Sequence, residues 1–154
     1  TRRPPASGPG KERRTAPTVF EVIYYSLTGN TKKVAEAIAT ELDVSAEDVK
    51  TKGKLAEDSF VFLGAGLYGP LRGWGFKRFI DRNNFRGRKV ALVGTSGEGK
   101  GKELEALEEA LAAKGAEVAG SFFCRGRFLF LKRDHPTSND LGNARRFARE
   151  VVQD

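Results

Sequence analysis

Ser26-Leu27-Thr28-Gly29-Asn30-Thr31 joins two stretches of different hydrophobic period. Ahead of it runs Val19-Phe20-Glu21-Val22-Ile23-Tyr24-Tyr25, rich in β-branched and aromatic residues and too short for a typical helix, so it reads as a buried strand. Behind it, Val34, Ala35, Ile38 and Leu42 fall on one face at helical spacing. The six residues are therefore a strand-to-helix turn at the carboxyl end of a strand. Three hydroxyls, an amide and a glycine line it, and it ends where the first N–H groups of a helix lack carbonyl partners. Such a turn suits an anion. It holds a phosphate without lysine or arginine, because each hydrogen bond to a charged acceptor contributes about 1.5–3 kcal/mol. A merely capped turn needs one Ser, Thr or Asn; Ser26, Thr28, Asn30 and Thr31 make four.

Composition bounds the rest. A chain of 154 residues, 39% hydrophobic and 31% charged, is expected to be one soluble domain with a real core. No apolar stretch approaches a membrane span. The single cysteine, Cys124, excludes an internal disulfide framework and fits a reducing, cytoplasmic setting. The net charge of +7 is uneven: residues 1–17 hold Arg2, Arg3, Lys11, Arg13 and Arg14 against Glu12. This Pro- and Gly-rich stretch reads as a disordered basic leader, with the folded domain over residues 18–154. Arg2-Arg3 is not followed by an apolar segment, so a twin-arginine export signal is rejected.

Strand and helix patterns then alternate. Asp48–Thr51 is a weak second strand, and Lys52–Asp58 is too short and polar to read as a helix. Ser59–Leu63 is a buried strand, followed by Gly64-Ala65-Gly66-Leu67-Tyr68-Gly69-Pro70. Trp74–Arg82 reads as a helix with Phe76, Phe79 and Ile80 inward. Lys89–Val93 is the fourth strand, and a loop runs from Gly94 to Gly101. The helix over Lys102–Lys114 carries Leu104, Leu107 and Leu111, and Gly115 is placed to end it. Glu117–Cys124 is the fifth strand, and a last helix opens near Thr137–Asp140 with Leu141, Ala144, Ala148 and Val151 inward. The alternation predicts an α/β three-layer sandwich around a parallel sheet.

Ser-x-Thr-Gly-Asn-Thr after a first strand resembles the phosphate loop of the flavodoxins, which bind FMN non-covalently and carry electrons; Gly-x-Leu-Tyr-Gly after the third strand adds to the likeness. The resemblance implies a flavodoxin-like five-stranded sheet in the order 2-1-3-4-5. Its geometry is taken over from the flavodoxins, the standard example of FMN at the switch between strands 1 and 3. It further implies that Ser26, Leu27, Thr28, Gly29, Asn30 and Thr31 surround the phosphate. Gly66, Leu67, Tyr68 and Gly69 would then lie against the ring, with Tyr68 stacked on it. Thr95, Ser96 and Gly97 would border the ring's pyrimidine side, and Cys124 and Gly126 would complete the set after the fifth strand. Two departures stand out. Flavodoxins are usually acidic, whereas this domain is slightly basic, and the segment between the first and third strands is short.

Two other nucleotide motifs compete. Gly64-x-Gly66-x-x-Gly69 matches a dinucleotide fingerprint, but Pro70, Gly73 and Gly75 follow where a helix should open. Residues 85–92 also lack the acid expected for a ribose. Gly94-Thr-Ser-Gly-Glu-Gly-Lys100 matches a P-loop until its last position, where Gly101 replaces the Ser or Thr that binds magnesium, and Glu98 would repel the phosphates. A receiver domain needs an acidic cluster where Tyr25 and Leu63 stand. Cys124 reads as a packed small side chain, His135 as exposed, and Trp74 as packing or flavin cover. No metal-ligand cluster is present.

The expectation is therefore an FMN-binding electron carrier serving redox partner proteins. The alternatives are an FMN-dependent NAD(P)H or quinone reductase, and a flavin-free binding module. Arg72, Lys100, Arg125 and Arg127 lie in or beside the loops that ring the crevice, opposed by Glu98. They favour an acidic partner and a less negative flavin potential. Neither a membrane nor nucleic acid is the expected partner.

Overall fold

The computed structural model describes residues 18–25, 29–66, 75–96, 102–125 and 138–153. The basic leader, the Ser26–Thr28 segment, Trp74, His135 and the loops after the third, fourth and fifth strands lie outside the described residues. The elements follow in the order β1 (Phe20–Tyr25), α1 (Asn30–Glu41), β2 (Ala46–Asp48), β3 (Phe60–Gly66), α2 (Gly75–Arg82), β4 (Lys89–Ser96), α3 (Lys102–Ala113), β5 (Glu117–Arg125) and α4 (Ser138–Val151). All strand pairs are parallel, and the sheet order is β2-β1-β3-β4-β5, as expected.

Alternation along the strands builds two cores, because successive side chains of a strand point to opposite faces. Ile23, Leu63 and Leu92 point to one face, where Phe76 and Phe79 of α2 and Leu107 and Leu111 of α3 cover them. Val22, Phe62 and Val93 point to the other, under Val34 and Ile38 of α1 and Ala144 and Ala148 of α4. The inward faces expected for α1, α2 and α4 form as read, with Leu42 and Leu141 partly buried at the margin. The side chain of Leu104 lies outside the described set. α3 ends two residues before Gly115, whose φ is +91°.

The second strand differs from the expectation. It is Ala46–Asp48, not Asp48–Thr51. The chain turns at Asp48: its carboxylate accepts the Lys50 N–H at 2.8 Å, and its carbonyl accepts the N–H groups of Thr51 and Lys52. An Asp that caps its own turn ends a strand more readily than it starts one.

β3 and β4 also run further than their apolar cores suggested. Gly64-Ala65-Gly66 and Gly94-Thr95-Ser96 are strand, held by the register Gly64↔Val93, Ala65↔Gly94 and Gly66↔Thr95. The first two glycines of the dinucleotide-like motif are thus extended strand and make no phosphate turn. The same holds for the first glycine of the P-loop-like motif.

Between β2 and β3 no helix forms; a polar cluster at the amino edge of the sheet holds the segment instead. Glu21 is 8% exposed and pairs with Lys52, while its other oxygen accepts from Ala56 N (2.8 Å) and Ser59 Oγ (2.6 Å). Arg88 donates to Ser59 Oγ at 2.7 Å and to the carbonyls of Ser59 and Ala56 at 3.0 Å. Leu55 N donates to Asn83 Oδ1, whose amide donates to the Phe79 carbonyl. Side chains from β1 and from the residues just after α2 and just before β4 thus supply the partners that a helix would have supplied from its own backbone.

Candidate functional site

The path of the chain fixes where the site lies. From β1 it passes to β2 on one side, over the face covered by α1. From β3 it passes to β4 on the other side, over the face covered by α2. Connections leaving β1 and β3 therefore diverge to opposite faces, and a crevice opens between them at the carboxyl edge.

α1 starts in that crevice. Gly29 stands at its N-cap with φ +91° and ψ −8°, and has no side chain of its own to cap the helix. This left-handed geometry costs glycine little, because no Cβ meets the neighbouring carbonyl. The backbone bond from Lys33 N to Gly29 O, 3.1 Å, closes the first turn. The amides ahead of it in Thr31 and Lys32 precede the helical ladder, as at any helix start. Asn30 is 2% exposed, and Thr31 is fully buried in the same turn. A polar pair this deep needs partners, and Thr31 has a distant one: its Oγ1 lies 2.7 Å from Thr95 Oγ1.

The sheet register brings further expected residues into one row. Gly66 of β3 stands opposite Thr95 of β4, and Thr95 stands opposite Cys124 of β5. Ser96 follows, opposite Arg125. Gly29, Asn30, Thr31, Gly66, Thr95, Ser96 and Cys124 therefore gather at the carboxyl edge. Ser26, Leu27, Thr28, Leu67, Tyr68, Gly69, Gly97 and Gly126 lie outside the described residues, as do Arg72, Lys100 and Arg127 of the basic rim.

Two features of the site escaped the sequence reading. One is the bond between Thr31 and Thr95, which no short-range pattern announces across 64 positions. The other is the contact of Gly64 with α1, since a Cβ there would come 3.2 Å from Thr31 Cγ2. Glycine is what lets the first turn of α1 sit down on β3.

The donor set fits a phosphate monoester. Its described part brings the Thr31 hydroxyl and helix-start N–H groups at the positive end of the helix dipole, and no acidic residue stands in the first turn. Among the described residues no group of His, Cys, Asp and Glu could hold a metal ion, and no helix is long and apolar enough to cross a membrane.

The chain's likeness to known proteins agrees with this geometry. A family profile described as a flavodoxin domain matches residues 21–130. A flavodoxin of Clostridium beijerinckii is 34% identical over 110 residues, covering 64% of this chain and 80% of that protein. An uncharacterised protein of Methanocaldococcus jannaschii is 26% identical over 136 residues, covering 80% of this chain and 91% of its own. Among solved structures, a flavodoxin from the domain Archaea superposes with a TM-score of 0.68 at 21% identity, over 88% of this chain and 97% of that one. The fold and its switch-point crevice are those of the flavodoxin class. The chain belongs to the flavodoxin family, whose cofactor is FMN.

Proposed function

We propose that this chain binds one FMN and passes electrons between redox partner proteins. The observation that carries the reading is the start of α1: a helix opened by a left-handed Gly29, with buried Asn30 and Thr31 in its first turn, beside the switch point of the sheet. When bound, FMN supplies one- and two-electron chemistry. Asn30, Thr31 and the amides of the first turn hold its phosphate, together with Ser26 and Thr28. The reading assigns Leu67, Tyr68, Gly69, Ser96 and Gly97 to the ring; of these Ser96, the last residue of β4, is among the described residues. Arg72, Lys100, Arg125 and Arg127, in or beside the loops after β3, β4 and β5 in the sequence, favour an acidic partner.

Titration of the purified protein with FMN, followed by the shift of the flavin band, tests the reading. Saturation at micromolar FMN or below is expected, and no binding in that range would overturn it. A carrier consumes no NAD(P)H in the absence of a separate reductase; steady consumption by the FMN-loaded protein alone would make it a reductase. Association with an acidic donor or acceptor should slow as salt rises.

A further inference from the structure

Thr31 is held from two sides. Its methyl group lies against β3, where a Cβ built on Gly64 would come 3.2 Å from it. Its hydroxyl meets that of Thr95 on β4 at 2.7 Å, and both residues are fully buried. A threonine whose two γ branches are each engaged by a different strand is confined to one χ1 rotamer. The two hydroxyls also carry two protons, and the bond between them consumes one, so the accepting oxygen keeps a donor of its own. When Thr95 donates, that remaining proton sits on Thr31, at the start of α1.

We infer that Thr95 is a positioning residue for the phosphate end of the site and not a ring contact: it fixes the rotamer of Thr31, and Gly64 leaves the space in which that rotamer sits. The inference rests on the FMN reading above. It links the two segments expected to hold opposite ends of the cofactor, since Thr31 lies in the first turn of the helix after β1 and Thr95 is the penultimate residue of β4. A fault at Thr95 should therefore be felt at the phosphate and spare the ring.

Thr95→Val keeps the side-chain shape and removes the hydroxyl, Thr95→Ser retains the hydroxyl, and Gly64→Ala crowds the Thr31 methyl without touching either hydroxyl. Each variant is titrated with FMN and with riboflavin, which lacks the phosphate. Inorganic phosphate is then tested on the flavin-free protein by its shift of the unfolding temperature. Thr95→Val should weaken FMN about tenfold or more, the scale of one hydrogen bond to a charged group. Riboflavin should stay within about twofold and Thr95→Ser within about threefold of the parent, since neither loses that bond. Gly64→Ala should lower the FMN-to-riboflavin preference in the same direction, and phosphate should protect the parent protein more than Thr95→Val.

Equal losses for FMN and riboflavin in Thr95→Val would put Thr95 at the ring and overturn the inference, as would an unchanged FMN affinity. If Thr95→Val does not fold, an unchanged FMN-to-riboflavin preference in Gly64→Ala overturns it alone. A parent protein that binds neither flavin defeats the FMN reading. The phosphate arm still decides here: protection of the parent but not of Thr95→Val supports the positioning role, and equal or absent protection removes it.

Discussion

At the amino edge of the sheet, Glu21, Lys52, Ser59 and Arg88 bury charge by pairing it. Each Glu21 oxygen has a partner, and the Ser59 hydroxyl both donates to Glu21 and accepts from Arg88. At the carboxyl edge, Asn30, Thr31 and Thr95 bury neutral groups, and the Thr31–Thr95 pair keeps one proton more than its mutual bond uses. The first arrangement is closed: its hydrogen-bonding capacity goes into holding the segment before β3. In the second, the FMN reading assigns the spare proton of the Thr31–Thr95 pair to the phosphate. A parallel sheet with its ligand crevice at the strand carboxyl ends divides its polar groups in this way, stability at one edge and binding at the other.

The largest expected effect that sharpens this division falls on the open edge. Changing Thr28 and Thr31 together to valine should weaken FMN by about two to four decades, at about 1.5–3 kcal/mol for each lost bond to the phosphate. Riboflavin affinity should change little. Comparative titration with the two flavins reads this, and equal losses would locate the phosphate elsewhere. Thr31→Val alone has a second cost, because it strands the buried Thr95 hydroxyl. Urea denaturation of the flavin-free protein should show a loss of about 1–2 kcal/mol, the desolvation cost of one unsatisfied hydroxyl.

The next effect breaks the closed edge. Glu21→Gln keeps the shape but leaves the Lys52 charge with only the exposed Glu47 as partner, and stability should fall by about 2–3 kcal/mol. FMN affinity should stay within about threefold, because the cluster and the crevice lie at opposite ends of β1. Burial alone would push the Glu21 carboxyl up; hydrogen bonds from Lys52, Ser59 and the Ala56 N–H, with the Lys52 charge, outweigh it and hold the group below its ordinary value of 4.5. A depressed folded pKa means stability that is present above 4.5 and lost as pH falls through the lower folded value. Lys52 runs the other way. Burial pulls it down, but Glu21 and Glu47 raise it above 10.5, so its contribution is complete below that pH and lost as pH rises through the folded value. The gap between parent and Glu21→Gln should therefore narrow in acid, below about 4.5. A gap that persists at low pH would mean that the carboxylate charge is not what holds the cluster.

How far the sequence carried the fold follows from where the polar groups sit. β1, β3 and β4 were legible because their apolar runs are buried on both faces, β5 because Val118, Phe122 and Phe123 still pack, half-buried, at the sheet edge, and the helices because Phe76, Phe79, Leu107 and Leu111 repeat at helical spacing. β2 was not. Ala46-Glu47-Asp48 is a three-residue edge strand without a β-branched side chain, and its register comes from Val22–Tyr24 of β1. Gly64–Gly66 and Gly94–Ser96 looked like loop because glycine has low strand propensity, yet strands on either side pair with them. In the site, Gly29, Asn30 and Thr31 could be read from a strand–turn–helix pattern, which is local. The Thr31–Thr95 bond and the Glu21 cluster depend on register between distant strands. The one cue to the cluster was a single acid inside the apolar run of β1.

The smallest effect concerns the left-handed residues at the two ends of α1. At its start, on the carboxyl edge, that residue is Gly29 (φ +91°); past its end, on the amino edge, it is Asp43 (φ +62°). The α1 terminus is a paired-bond cap: Val44 N donates to the Ala39 carbonyl at 2.9 Å and Asp43 N to the Thr40 carbonyl at 3.2 Å. That cap needs a left-handed residue at position 43 and asks nothing of its side chain, which is exposed. An L-residue there costs about 1–2 kcal/mol, somewhat less for Asp, whereas glycine costs about 0.5–1 kcal/mol through the greater freedom of its unfolded chain. The balance favours Asp43→Gly by about 0.5 kcal/mol, with FMN affinity unchanged. Urea denaturation of the two flavin-free proteins at equal m-value resolves it. A destabilised Asp43→Gly would show that the carboxylate makes a contribution larger than the backbone strain it brings.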